Sequence, residues 1–201
     1  MAVKKYLKFG IASRPTLGLD VNGDAYITKE WNGQTLLAIV DGLGHGKEAW
    51  IASTKAKNYV IENCTKDLEQ VILDLHAHLH MTRGVAAGLT KINRTANQLL
   101  FCGIGNIEAR IIGEPPMHPA SLEGIVGMSL RKAKKFEYRY DSLKAVVLHS
   151  DGISSKFNLS DYPSIYEQPQ NVAEQILIEW GKKHDDATII IAVEDDQSHG
   201  P

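Results

Sequence analysis

The stretch that decides the fold is Leu36-Leu37-Ala38-Ile39-Val40-Asp41-Gly42, in which a run of apolar residues stops at an acid. An uninterrupted apolar run of this length predicts a strand that is buried on both faces. Asp41 then lies at the end of the strand, where its carboxylate is either a turn former beside Gly42 or a ligand. The positions of the other acids in the chain distinguish between these two interpretations.

Further acids lie beside other apolar runs. They are found in Asn22-Gly23-Asp24, Ser150-Asp151-Gly152 and His184-Asp185-Asp186. One Asp-Gly pair after a strand is typical of an ordinary turn, but the repetition beside separate strands favours a cluster. Carboxylates with no Cys or coordinating His in the motifs suit Mg²⁺ or Mn²⁺ better than Zn²⁺. The sequence therefore predicts a carboxylate cluster that holds divalent metal.

Hydrophobic periodicity gives the order of the secondary-structure elements. Strands are predicted near residues 4–13, 24–30, 34–40, 84–93, 98–104, 107–112, 134–140, 143–149 and 188–193. Helices are predicted from about residue 46 to 61, from 68 to 79 and from 171 to 183, and residues 159–170 are expected to form a loop. This order predicts an α+β fold with mostly antiparallel pairing and one domain over residues 1–201.

Composition excludes several classes of function. The chain has 201 residues, a formal net charge of −2 and 43% hydrophobic residues, which is enough for one sizeable core. The small net charge favours neither nucleic acid nor a membrane as partner, and no apolar run is long enough to span a bilayer. A cytoplasmic protein is expected, with Cys64 and Cys102 as reduced core residues.

The acidic motifs resemble those of a known enzyme family. Asp41-Gly42-Leu43-Gly44-His45-Gly46, Ser150-Asp151-Gly152 and Asp185-Asp186-Ala187-Thr188, in this order, resemble the metal-dependent serine/threonine phosphatases of the PPM family, in its bacterial SpoIIE-like branch. Weaker similarity at residues 103–106 and 124–128 extends the resemblance over about residues 22–188. It implies an α/β/β/α sandwich of two mostly antiparallel sheets flanked by helices.

The resemblance also implies a role for each acid. Two Mn²⁺ or Mg²⁺ ions would be held by Asp24, Asp41, the carbonyl of Gly42, Asp151 and Asp185. The catalytic set is Asp41, Asp151 and Asp185, with Asp41 bridging the ions and a metal-activated water as nucleophile. Asp186 would orient the ligands from behind. No carboxylate stands in residues 81–86, where some members hold a further ion, so no third ion is predicted.

The implied substrate is a phosphorylated protein. The short length without a sensor extension points, within the branch, to stressosome proteins carrying phosphoserine or phosphothreonine. Arg14 is a candidate phosphate contact, although it stands ten positions before Asp24. A hydrolase of small phosphoesters and a catalytically dead binding module remain as alternatives. The alternating His76, His78 and His80 are expected on a solvated helix end rather than in a metal site.

Overall fold

Two antiparallel sheets form the centre of the molecule. The computed structural model describes residues 6–115, 117 and 119–195. The strands are β1 (Tyr6–Arg14), β2 (Asp24–Trp31), β3 (Gln34–Gly42), β4 (Val85–Asn93), β5 (Gln98–Ile104), β6 (Glu108–Glu114), β7 (Phe136–Arg139), β8 (Ser142–His149) and β9 (Ala187–Asp195). One sheet has the order β1-β9-β8-β6 and the other the order β2-β3-β4-β5-β7.

Helices cover the outer face of each sheet. They are α1 (Lys47–Glu62), α2 (Leu68–His78) and α3 (Pro169–Trp180). Helix α1 packs on β2 and β3, and α3 packs on β1 and β9. The predicted α+β class and the α/β/β/α sandwich are therefore confirmed. None of the helices in the described part of the chain is long and apolar enough to cross a membrane.

Side chains of β3 point alternately to its two faces, so this one strand contributes residues to two hydrophobic cores. Leu36, Ala38 and Val40 belong to the core between the five-stranded sheet and helices α1 and α2. Leu37 and Ile39, on the other face, belong to the core between the two sheets. Since the side-chain period of a strand is two residues, Asp41 continues this second row. The acid therefore lies at the end of the layer between the sheets.

Most predicted elements match the observed ones. The turn of residues 94–97 joins β4 to β5 with Asn93 opposite Gln98, between the two strands predicted at residues 84–93 and 98–104. Helix α3 begins at Pro169, two residues earlier than predicted, because proline is well tolerated in the first helical turn. Residues 159–170 contain two 3₁₀ turns, Leu159–Asp161 and Pro163–Tyr166, where a plain loop was expected. Lys4 and Lys5 of the first predicted strand lie outside the described residues.

Candidate metal centre

The acids meet at one end of the sandwich. Asp24 is the first residue of β2 and is the register partner of Asp41 near the end of β3. Asp151 comes two residues after β8, and Asp185 and Asp186 come just before β9. Each sheet thus contributes acids from adjacent strands at the same end. Asp41, Asp151 and Asp185 line a common cleft of about 430 Å³.

Asp24 and Asp41 lie on the same face of their sheet. Gly42 N donates to Gly23 O at 3.1 Å, so the next pair along, Asp24 and Asp41, is not joined by backbone hydrogen bonds. In such pairs the side chains are closest, and like charges directly opposite each other are unfavourable. The repulsion between these two carboxylates is unfavourable for the fold, and a bound cation would remove it.

A serine from the second sheet holds Asp24. The Ser150 hydroxyl donates to Asp24 Oδ2 at 2.7 Å and accepts from Thr188 N at 3.0 Å. Ser150 is fully buried, so this bridge between the sheets is shielded from water. Asp24 Oδ1 is buried and has no hydrogen-bond partner among the described residues. One oxygen of this carboxylate is therefore fixed by the protein, and the other is available to a cation.

Asp186 lies behind the cleft and is almost completely buried. Its Oδ1 accepts from Thr16 N at 2.8 Å, while Oδ2 has no hydrogen-bond partner among the described residues. Nδ1 of His45 lies 3.7 Å from Asp186 Oδ2 and 3.6 Å from Asp185 Oδ1. Asp186 therefore connects the loop after β1 with the loop before β9.

Burial and repulsion between carboxylates raise the pKa values of Asp24, Asp41 and Asp185. Burial raises the pKa of Asp41 to about 9, with further increases from the charges of Asp24, Asp151, Asp185 and Asp186. Burial likewise raises the pKa of Asp24 to about 7, although its hydrogen bond from Ser150 opposes this shift. The pKa of Asp185 is raised by burial and then by the charge of Asp151. Buried carboxylates that repel one another are stabilised by binding either a proton or a cation.

Glycines allow the acidic loops to approach the neighbouring backbone. A Cβ on Gly42 would lie 2.1 Å from the carbonyl oxygen of Ala49 in α1. A Cβ on Gly152 would lie 1.9 Å from the carbonyl oxygen of Asp186. The glycine that follows Asp41 and the one that follows Asp151 are therefore required by close packing and are not merely turn formers.

The donor set fits a hard divalent cation. Within residues 6–115, 117 and 119–195, no three His, Cys, Asp or Glu side chains are already gathered as a metal-holding group. Asp41, Asp151 and Asp185 instead surround an open cleft, and oxygens of Asp24 and Asp186 remain buried and unpaired. Carboxylate oxygens of this kind suit Mg²⁺ or Mn²⁺.

Known proteins share this fold, although no protein-family model matches the chain. Phosphoserine phosphatase RsbX from Bacillus subtilis (strain 168) is 27% identical over 161 residues, covering 78% of this chain and 78% of the relative. A solved structure of RsbX in complex with magnesium superposes with a TM-score of 0.83 at 20% identity, over 94% of this chain and 96% of that chain. The chain has the PPM-type phosphatase fold and resembles RsbX.

Two further solved structures share this fold with the chain. One, described as "The bacterial stressosome: a modular system that has been adapted to control secondary messenger signaling", gives a TM-score of 0.87 at 26% identity, over 93% of this chain and 99% of that chain. The PP2C phosphatase domain of SpoIIE from Bacillus subtilis gives a TM-score of 0.75 at 18% identity, over 97% of this chain and 65% of that chain.

Arg14 has structural contacts in this PPM-type fold. Its guanidinium donates to the carbonyl oxygens of Pro15 at 3.0 Å, Asp185 at 3.1 Å and Lys182 at 2.7 Å. Arg14 is not among the residues that line the cleft. The described contacts therefore tie β1 to the loop that presents Asp185, and the phosphate contact suggested for Arg14 stays a prediction.

Some residues of the candidate metal centre were not assigned a role from the sequence. Ser150 stands inside a quoted motif, but its hydrogen bond to Asp24 depends on how the two sheets face each other. Asn106 and Glu123 line the cleft beside Asp151, and Glu123 could have been noticed as an acid directly before a glycine-rich loop. His76 accepts a hydrogen bond from Gly127 N at 2.9 Å, so it braces that loop and is not merely solvated.

Proposed function

We propose that the chain is a protein serine/threonine phosphatase that depends on two Mn²⁺ or Mg²⁺ ions. The observation that carries the proposal is the meeting of Asp41, Asp151 and Asp185 on one cleft. The raised pKa values of Asp41 and Asp185 and the unpaired oxygen of Asp24 support a cation-binding role. The likeness to RsbX supports phosphoserine as the group that is hydrolysed.

Each residue of the candidate metal centre would have a distinct role. Asp41 and the carbonyl of Gly42, with Asp24, Asp151 and Asp185, would hold the ions. When bound, the ions would activate a water for attack on phosphorus and offset the negative charge of the phosphate. Ser150 keeps the carboxylate of Asp24 in place, and Asp186 fixes the loop before β9 through Thr16. His45 lies on the cleft wall, with its Nδ1 3.6 Å from Asp185 Oδ1 and 3.7 Å from Asp186 Oδ2.

The shape of the cleft favours a protein substrate over a small phosphoester. Four of its twelve lining residues have little or no side chain, namely Gly44, Ala86, Gly105 and Gly124. Enzymes for small molecules generally enclose the ligand with apolar and polar side chains. A catalytically dead module is disfavoured because every predicted acid is present and lies at the same end of the sandwich.

The physiological substrates we propose are phosphorylated stressosome proteins, in a cytoplasmic stress-signalling pathway. The likeness to a structure described as a stressosome supports this proposal. Phosphorylated stressosome scaffold proteins should be dephosphorylated faster than a phosphorylated anti-sigma-factor antagonist when both are offered together. Preference for the antagonist would reject the stressosome proposal while leaving the phosphatase proposal intact.

The activity itself is tested with a phosphoserine peptide and Mn²⁺ or Mg²⁺. We expect turnover that disappears with chelator and in Asp41→Ala and Asp151→Ala. Asp141→Ala is the matched control, because Asp141 precedes β8 at the end opposite Asp151 and is exposed. Full turnover by either site variant would reject the mechanism.

A further inference from the structure

A second groove adjoins the candidate metal centre. Leu43 and Gly44 line both the metal cleft and this neighbouring groove of about 500 Å³. The groove is also lined by Met81, Arg83 and Met128, and we call it the Arg83 groove. The loops after β3 and before β4 form it together with Glu48 of α1 and Met128 from the segment between β6 and β7, so any chain that enters the cleft from this side must cross it.

The rim of the Arg83 groove is unusually apolar for an exposed surface. The exposed fraction is 97% for Met81, 55% for Met128 and 43% for Leu43. Exposed apolar groups that cluster beside a polar site mark binding surfaces, and methionine adapts its shape to different partners. Met81 also has a φ of 72°, a conformation that costs free energy for a residue with a Cβ. The fold therefore holds Met81 outward without burying it.

Arg83 places a free positive charge in the same groove. Its Nη1 packs against Gly44, where an added Cβ would lie 2.8 Å from it. No hydrogen bond or ion pair joins the Arg83 side chain to another described residue, although Glu48 lines the same groove. Arg14 and Arg110, by contrast, are engaged with backbone carbonyls. A guanidinium that makes no hydrogen bond or ion pair within the described part of the chain, next to the candidate metal centre, is available for an anion.

We propose that the Arg83 groove binds the substrate segment next to the phosphorylated residue, with a carboxylate on Arg83 and an apolar side chain against Met81 and Met128. This inference rests on the proposed phosphatase function. Continuity with the cleft through Leu43 and Gly44 supplies the path of the substrate chain, and the free guanidinium supplies the charge that selects an acidic residue. The groove would therefore set sequence preference without taking part in the chemistry.

The test compares three substrates under the same metal conditions. One is a phosphoserine peptide flanked by glutamate and leucine, the second replaces glutamate with lysine, and the third is p-nitrophenyl phosphate, which has no flanking chain. In Arg83→Ala, KM for the glutamate peptide should rise about fivefold with kcat unchanged, as expected for loss of one exposed ion pair. Hydrolysis of p-nitrophenyl phosphate should not change.

A charge-reversal variant tests the preference for an acidic residue directly. Arg83→Glu should prefer the lysine peptide over the glutamate peptide, and Met81→Ser should raise KM for both. Arg139→Ala is the matched control, because Arg139 pairs with Gln98 at the end of β5 farthest from the cleft. Thermal unfolding followed by circular dichroism checks that each variant is folded.

Each contrary result has a distinct meaning. Unchanged KM for the glutamate peptide in Arg83→Ala would overturn the groove proposal, and so would an equal loss on p-nitrophenyl phosphate, which would place Arg83 on the phosphate itself. A wild-type protein that hydrolyses neither peptide would overturn the proposed phosphatase function and this inference with it.

Discussion

The hydroxyl of Ser150, just after β8, donates a 2.7 Å hydrogen bond to Asp24 at the start of β2, so one buried contact joins the two sheets at the candidate metal centre. Directly opposite Asp24 on the adjacent strand lies another acid, Asp41. The serine thus determines which oxygen of Asp24 remains open to a cation.

Ser150→Ala should weaken both folding and metal binding. The substitution leaves Asp24 Oδ2 and Thr188 N without their buried partner, which costs about 1–3 kcal/mol for an unsatisfied polar group. Urea unfolding in chelator should measure that loss, and calorimetric titration with Mn²⁺ should give a weaker Kd. Ser160→Ala, in an exposed 3₁₀ turn, is the control. Wild-type metal affinity in Ser150→Ala would show that the bridge does not position Asp24.

The stability of the metal-free protein should fall as pH rises. The pKa of Asp41 is raised from 3.8 to about 9 and that of Asp24 from 3.8 to about 7. At pH values between 3.8 and these raised pKa values, the folded state therefore binds more protons than the unfolded state. The free energy of unfolding must then decrease with increasing pH across that window. Urea unfolding in chelator at about pH 5 and about pH 8 measures the slope.

Asp41→Asn should flatten this pH dependence, because its amide does not titrate. Adding Mn²⁺ should stabilise the wild type more at the higher pH, where the acids are ionised and bind without releasing protons. A metal-free wild type that becomes more stable between about pH 5 and about pH 8 would contradict the clustering of these acids.

Gly152→Ala should disrupt the site through the backbone. The new methyl group would lie 1.9 Å from the carbonyl oxygen of Asp186, so the loop before β9 has to move. We expect a loss of about 1–3 kcal/mol in stability, together with reduced metal affinity. Gly18→Ala separates this clash from backbone strain, since Gly18 has a φ of 89° but no atom near its missing Cβ. Equal behaviour of the two variants would refute the packing explanation.

Arg14→Ala should reduce metal affinity more than phosphate affinity. The guanidinium holds the carbonyl oxygens of Lys182 and Asp185, so its loss frees the segment that carries Asp185. Mn²⁺ titration measures the first effect, and competitive inhibition by inorganic phosphate at saturating Mn²⁺ measures the second. Arg14→Lys should recover part of the metal affinity. A weaker inhibition by phosphate with unchanged metal affinity would instead favour the phosphate contact suggested by the sequence.

Local patterns were sufficient to predict the elements and the position of the acids at their ends. The apolar run before Asp41 and the one after Asp186 each became a central strand of a sheet, and the hairpin at residues 94–97 formed as its turn residues indicate. These predictions depend only on residues that are close together in the chain, so a single sequence is sufficient to make them. The α/β/β/α arrangement came from the family resemblance.

Contacts between residues far apart in the chain could not be predicted from the same patterns. The Ser150 bridge to Asp24 spans 126 positions, and Arg14 reaches Asp185 only because Arg14 is paired with Ala187. Periodicity assigns a residue to a face but does not say which strand faces it across a core. Arg83 was missed for a related reason, since its significance lies in Gly44 beside it and in a groove that several separate segments form.

The strand order of the four-stranded sheet also fixes when the candidate site can form. Strand β9 is inserted between β1 and β8, so β1 has no partner in its sheet until β9 is present. Asp185 and Asp186 directly precede that last strand, and contacts between distant parts of a chain form slowly. During synthesis, β1 must wait for almost all of the described chain to leave the ribosome. The nascent protein is therefore expected to gain its phosphatase activity in one late step, with no partially active intermediate.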